Sequence, residues 1–487
     1  MPQINSDHTA SNATQRDGFE LSGPITGGLH GRPHLAYLGD ILDVNYIEEE
    51  FFLVGTATRF APVGELDLGG RWEVEPAGAA PFKTRILIRR PANPMQFNGT
   101  VIVEWLNVST GCEIPAVIPN LYEGYAYAGV SAQFVGIHGF PSDPQGLIAW
   151  DGERYESLHH PGDSYSYDVF TQAARAVRSH VDWAQCDPLP GVEVKTLIAV
   201  GGSQSGCRLV TYANALESRE GAFDAIMPLL VAGIGAKFDD FLWDRFSGGD
   251  VVADLMQQAF APTVVRADLK APVLMLNSEF EAVRMSRAQM RPDSATFRYW
   301  EVAGAPHLSP EQADLAKRLF ERDGLRSLAS RSPSDDDGRR VSHTHVLEAA
   351  LGHVVRWVQD GTVPPSFLPI AKSGEPEQIQ RDRFGNAQGG IRLPDMDVPL
   401  AQNWIPASGV FEELSKGARR PLTDEQLSEL YSSQPDYVVK VRRAAESAVA
   451  AGVLTESRAN KYVEEAESTS GLWSVSRTGA RHRREST

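Results

Sequence analysis

The stretch TLIAVGGSQSGCRLVTYANAL, Thr196–Leu216, decides how this chain is read. It opens as an apolar run, bends at paired glycines, and continues with the spacing of a helix. Two serines, Ser203 and Ser205, fall at the bend. A sharp strand-to-helix turn that exposes a serine needs small residues two places before and after it, because larger side chains would clash where the backbone folds back. Centred on Ser203, the frame is Gly201-Gly202-Ser203-Gln204-Ser205, small on both sides. The strand ends near Val200, so Ser203 sits at the bend and Arg208–Leu216 carry the helix on. Centred on Ser205, the frame from Ser203 to Cys207 also has small flanks, but the serine then lies one step inside the helix. Ser203 is the expected nucleophile. The frame departs from G-x-S-x-G by ending in serine, and alone it also suits a plain glycine- and serine-rich turn.

Outward from this stretch, short β-branched runs alternate with helical spacing, the pattern of an α/β fold with a mainly parallel central sheet. Strands are predicted over Thr84–Arg90, Thr100–Trp105, Tyr125–Gln133, Thr196–Val200, Ala225–Val231, Pro272–Asn277 and Thr296–Val302. Their continuous apolar runs suit strands covered on both faces. Asp163, after Pro161-Gly162, is the expected N-cap of a helix that presents Tyr167, Phe170, Ala174 and Val177 on one side. Beyond about residue 370 the texture becomes polar and glycine-rich. Thr423-Asp424-Glu425-Gln426 then forms a capping box, and two further helices are expected, one ending at Gly452 and one starting at Thr455. This divides the chain into a disordered lead over 1–20 and an α/β core over 21–370, with N-terminal strands and an insertion around 235–268. A C-terminal loop and helical subdomain over 371–475 and a basic tail over 476–487 complete it.

Two downstream segments give the bend chemical meaning. An acyl-transfer site needs a nucleophile, a base, a carboxylate that orients the base, and donors for the developing oxyanion. The strand PVLMLN is followed by Glu279 and Glu281, and the strand TFRYWEV by a turn that presents His307. The order Ser…Glu…His, each at a strand end, matches the plan of an α/β-hydrolase fold. Glu281 lies farther along the loop and is the expected orienting acid, with Glu279 in reserve. The oxyanion donors are expected at the N–H of Gln204 and at about Asn107, in the loop WLNVSTG.

Composition narrows the partners. A net charge of −17 argues against binding a phosphate backbone. The longest apolar run, Ala225 to Ala236, contains Pro228 and is shorter than the roughly 20 residues of a spanning helix. The N-terminal sequence lacks the apolar core of a secretory signal, and three cysteines without CxxC spacing suit a reducing compartment. The expectation is therefore a cytoplasmic protein acting on a small-molecule substrate, without nucleic acid or membrane. No metal is expected, because His343, His345 and His353 have no H-E-x-x-H or cysteine companions and read as structural. No cofactor is expected either, since no phosphate-binding glycine motif is found.

Several stretches resemble the large bacterial proteins grouped as the "alpha/beta hydrolase domain" family. They include YIEEEFFLVGTA, VIVEWLNVSTG, GYAYAGVSAQFVG, RYESLHHPGDSYSYDVFTQA, GGSQSGCRLVTYANAL, WEVAGAPH, HVVRWVQDGTVPP and RDRFGNAQGGIRLPDMDVP, and together run from about residue 22 to 465. The resemblance implies a serine hydrolase fold, with Ser203, the carboxylates of SEFE and His307 in the family's functional positions. The family pattern usually carries an aspartate where Glu281 stands. A serine esterase working through an acyl-enzyme is the expected activity. The alternatives are lactone, amide or carbon–carbon cleavage or a lyase reaction by the same residues, and a binding protein on a hydrolase scaffold. Tyr165, Tyr167, His159 and Arg392 are further candidates, either for pocket lining or for fixing loops.

Overall fold

The computed structural model describes residues 13–16, 18–183, 186–239, 259–326, 340–406 and 415–469. The strands of its main sheet and of one small ribbon are β1 (Ala13–Arg16), β2 (Phe19–Ser22), β3 (Tyr46–Pro62), β4 (Val74–Pro91), β5 (Thr100–Trp105), β6 (Ala126–Val130), β7 (Thr196–Gly202), β8 (Ala225–Leu229), β9 (Ile234–Ala236), β10 (Phe260–Pro262), β11 (Val273–Ser278) and β12 (Phe297–Val302). Ten of them form one sheet in the order β1-β2-β3-β4-β6-β5-β7-β8-β11-β12. From β6 to β12 neighbouring strands are parallel, and β1 to β4 join antiparallel at the other edge. This is the α/β-hydrolase fold, a mostly parallel sheet wrapped by helices.

The apolar runs are sorted by the period of two. Along β7, Leu197 and Ala199 face one apolar core while Ile198 and Val200 face another. Val101, Val103 and Trp105 of β5 join the first core, and Ile102 joins the second. Helices α1 (Ser166–Arg178) and α2 (Gln204–Ala215) cover the first face. The predicted stripe of Tyr167, Phe170, Ala174 and Val177 is buried there. Buried strands of this kind cannot leave one face wet, which is why their sequences read as unbroken apolar runs.

The second face shows how the C-terminal stretch is used. Helix α5 (His343–Asp360), α7 (Gln434–Ala450) and α8 (Glu456–Ser468) place Val346, Leu347, Tyr437, Ala445, Tyr462 and Ala466 in one core with Trp300, Leu274 and Ile198. Between β12 and α5 lies α4 (Pro310–Asp323), and α6 (Asp424–Leu430) carries the predicted capping box at Thr423. The segment expected as a subdomain over 371–475 thus shares its core with the sheet.

At the other end, strands begin inside the segment expected as a lead over 1–20. β1 and β2 pair there, and Phe19 and Leu21 bury alternate side chains, with the Phe19 ring 5.7 Å from Trp183. Apolar alternation this short carries little signal in sequence, yet it completes the sheet edge. Residues 1–12 of the lead, most of the 235–268 insertion and the 476–487 tail lie outside the described residues. No described helix is long and apolar enough to cross a membrane.

Candidate active site

β7 delivers Ser203 to the C-terminal edge of the parallel strands. Its backbone is left-handed in φ, at 58° with ψ −121°, a conformation that L-residues avoid at a cost of about 1–3 kcal/mol. Ser203 N donates to Leu229 O of the neighbouring strand at 2.9 Å, and Ser203 O accepts from Cys207 N at 2.9 Å. The bend is therefore clamped on both sides. A Cβ at Gly201 would meet Ser205 O at 2.9 Å, and one at Gly206 would meet Leu229 O at 2.7 Å, so the turn closes only around small residues.

The two serines of the opening stretch part company here. Ser205 is fully buried, and its hydroxyl bridges the N–H and carbonyl of Gly202, each at 3.0 Å. Ser203 is partly exposed, and its Oγ lies 2.9 Å from His307 Nε2.

His307 sits in the turn after β12. Its Nδ1 lies 2.5 Å from Glu281 Oε1, and its ring packs 4.8 Å from that of Phe280. Glu281 stands on the short helix α3 (Glu279–Arg284), capped by Ser278. The cap and the acid are one device. Ser278 N and Oγ both donate to Glu281 Oε2, at 2.9 and 2.6 Å, so a capping box fixes the carboxylate and leaves Oε1 for His307. At the third helical position the glutamate reaches both groups at once. Burial would push the Glu281 carboxyl up, but the facing His307 ring and the bonds from His307 and Ser278 outweigh it and hold it below the ordinary value.

Glu279 takes a different set of partners. Its Oε1 accepts from Arg381 at 2.8 Å and Ile405 N at 3.3 Å, and its Oε2 from Gly304 N at 2.8 Å. It ties the turn before His307 to the C-terminal loops. Asn107 lies against the bend, with its side-chain amide donating to Gly202 O at 2.8 Å and its Oδ1 accepting from Ser109 N at 2.8 Å. Gln204 occupies the first helical position of α2, where backbone N–H groups have no partner within the helix.

A family model described as "Alpha/beta hydrolase domain" matches residues 21–464. The chain belongs to that family. Curated proteins give no match. Among solved structures, this hydrolase-family chain is similar to a putative dienelactone hydrolase from Klebsiella pneumoniae subsp. pneumoniae, at 15% identity and TM-score 0.26 over 56% of this chain and 99% of that one. It is similar in the same way to brefeldin A esterase, described as a bacterial homologue of human hormone sensitive lipase (14%, TM-score 0.26, 56% and 76%). A glucuronoyl esterase from Solibacter usitatus is matched as well (11%, TM-score 0.25, 67% and 80%).

Other residues of this family member that the sequence singles out have the following partners. Asp163 does not cap the helix that follows it: its carboxylate accepts from Phe134 N at 2.8 Å and Gln133 Nε2 at 2.9 Å and pairs with Arg208 at 3.1 Å. Tyr167 is fully buried, and Arg392 pairs with Asp397 and Asp382, so both fix structure. His345 bonds Tyr462 and Glu311, and His353 bonds Gly452 O. Phe280 and the Asp163–Arg208 pair were not singled out in the sequence. The pair joins residues 45 apart and leaves no local trace. By contrast, Ser278-x-x-Glu281 is itself a capping-box pattern that separates the two glutamates.

Proposed function

We propose that this protein is a cofactor-independent carboxylic ester hydrolase acting on a small organic substrate through an acyl-enzyme. The observation that supports it is the unbroken hydrogen-bonded line Ser203 Oγ–His307 Nε2, His307 Nδ1–Glu281 Oε1, at 2.9 and 2.5 Å, on a bend that strains and exposes the serine.

In this reading Ser203 Oγ attacks the ester carbonyl carbon while its proton passes to His307 Nε2. Glu281 accepts from Nδ1–H, which selects the tautomer with Nε2 free to act as base, and its charge stabilises the imidazolium that forms. The capping box keeps that carboxylate from turning away. The negative charge on the carbonyl oxygen is met by the Gln204 N–H and by a main-chain N–H of the loop at about Asn107. The loop of Asn107 is held to the bend by the bond to Gly202 O. His307 then returns the proton to the leaving alkoxide, and a water repeats the sequence to release the acid.

The test is intact-mass analysis after fluorophosphonate treatment, with peptide mapping. A single adduct on Ser203, lost in Ser203→Ala together with p-nitrophenyl ester turnover, is the expected result. An adduct on Ser205, or none on folded protein, overturns the assignment.

A further inference from the structure

Helix α2 places Gln204 directly after Ser203 and Arg208 one turn farther along the same side of the helix. Gln204 is only 4% exposed, and among the described residues no group bonds either its Oε1 or its Nε2. Arg208 is 3% exposed, with one nitrogen on Asp163 Oδ2 at 3.1 Å and another near Lys237 O and Tyr167 Oη, at 3.3 and 3.4 Å. Its Nε also has no partner among the described residues. Buried polar side-chain atoms are almost always paired, and an orphaned carboxamide is less stable than a methionine of similar size. The bend itself uses only the backbone and small size of its residues, so local structure does not account for this side chain.

We propose that the Gln204 carboxamide is a specificity group. It would bond a neutral polar substituent, a hydroxyl or an amide, carried by the acyl part of the substrate close to the scissile carbonyl. This rests on the ester-hydrolase reading above, in which the backbone N–H of the same residue holds the carbonyl oxygen. A substituent on the adjoining carbons is thereby carried close to residue 204, whose buried carboxamide would turn to meet it. A plain alkyl chain would leave both amide atoms unbonded. A carboxylate is also a poor fit, because the amide offers an acceptor as well as a donor and the charge of Arg208 is already answered by Asp163.

The experiment measures binding to Ser203→Ala, which does not depend on turnover. The ligands are p-nitrophenyl 3-hydroxybutyrate and p-nitrophenyl butyrate, and Kd is read by calorimetry or NMR titration. The hydroxylated ester is expected to bind about tenfold tighter, and Gln204→Met in the same background to bring the ratio near one. A ratio near one in Ser203→Ala itself, or one that survives Gln204→Met, overturns the proposal. The thermal midpoint of Gln204→Met is expected to equal or exceed that of its parent. A clear drop would show that the amide is satisfied inside the protein, and would also overturn it. Failure of the hydrolase reading registers separately, as no turnover of either ester and no fluorophosphonate adduct with the unsubstituted protein.

Discussion

Glu279 and Glu281 stand two residues apart on one short helix, both buried, and only Glu281 reaches His307. The helical turn sends the first toward Arg381 and Gly304 N, and the capping box with Ser278 sends the second toward the imidazole. Two like residues thus have separate tasks set by their position in one turn.

Substitution should separate those tasks. Glu281→Gln is expected to lower kcat by about 10⁴-fold with little change in KM, as when the orienting acid of a triad is neutralised. Glu281→Asp should also lose activity, since the shorter carboxylate cannot hold Ser278 and His307 together. Glu279→Gln should instead cost about 1–3 kcal/mol of stability by weakening the bonds to Arg381 and Gly304. Steady-state kinetics beside urea unfolding of each variant checks the contrast, and equal kinetic losses would contradict it.

Ser203→Ala should abolish ester turnover, by about 10⁴-fold or more, with its thermal midpoint near that of the parent. Ser205→Ala should keep turnover measurable while lowering stability by about 1 kcal/mol, because its hydroxyl closes the Gly202 backbone. Parallel activity assays and melting curves read both.

Gly206→Ala tests the close approach of α2 to the sheet. Alanine is favoured over glycine by about 1 kcal/mol within a helix. Here a Cβ would meet Leu229 O and Val231 Cγ2, both at 2.7 Å, and overpacking of this kind costs about 1–3 kcal/mol. Net destabilisation is expected, read as a lower denaturant midpoint. A rise in the midpoint would show that the contact yields.

The pH dependence of stability should carry the mark of Glu217, which is buried and whose Oε2 has no partner among the described residues. Burial, with Asp224 adding to it, pushes this carboxyl from 4.5 to about 8. The folded state holds a proton that the unfolded state releases, so this contribution is fully present below about pH 4.5 and is lost as the pH rises through about 8. Glu217→Gln should therefore match the parent near pH 5 and exceed it increasingly toward pH 8. Urea midpoints across that range decide it, and a constant offset would contradict the assignment.

Much of the fold was legible because its signals are local. The seven predicted strands fall at β4 to β8, β11 and β12, since short, continuous β-branched apolar runs between turns suit strands covered on both faces. The capping box at Thr423, the stop at Gly452 and the start at Thr455 depend on neighbouring residues and were equally readable. Misreadings came where a residue is satisfied from afar. Asp163 has the chemistry of an N-cap, but Phe134, Gln133 and Arg208 take its carboxylate.

The sequence by itself determined the strand-bend-helix around Ser203, because small residues and an apolar run dictate that geometry within a few residues. It also set the order in which serine, glutamate and histidine follow strands β7, β11 and β12. Only the tertiary structure decided that His307 spans 104 residues to meet Ser203, that Glu281 is its partner, and that Arg381 holds Glu279 away. Such contacts depend on packing distances between separate strands and loops, which spacing along the chain does not encode.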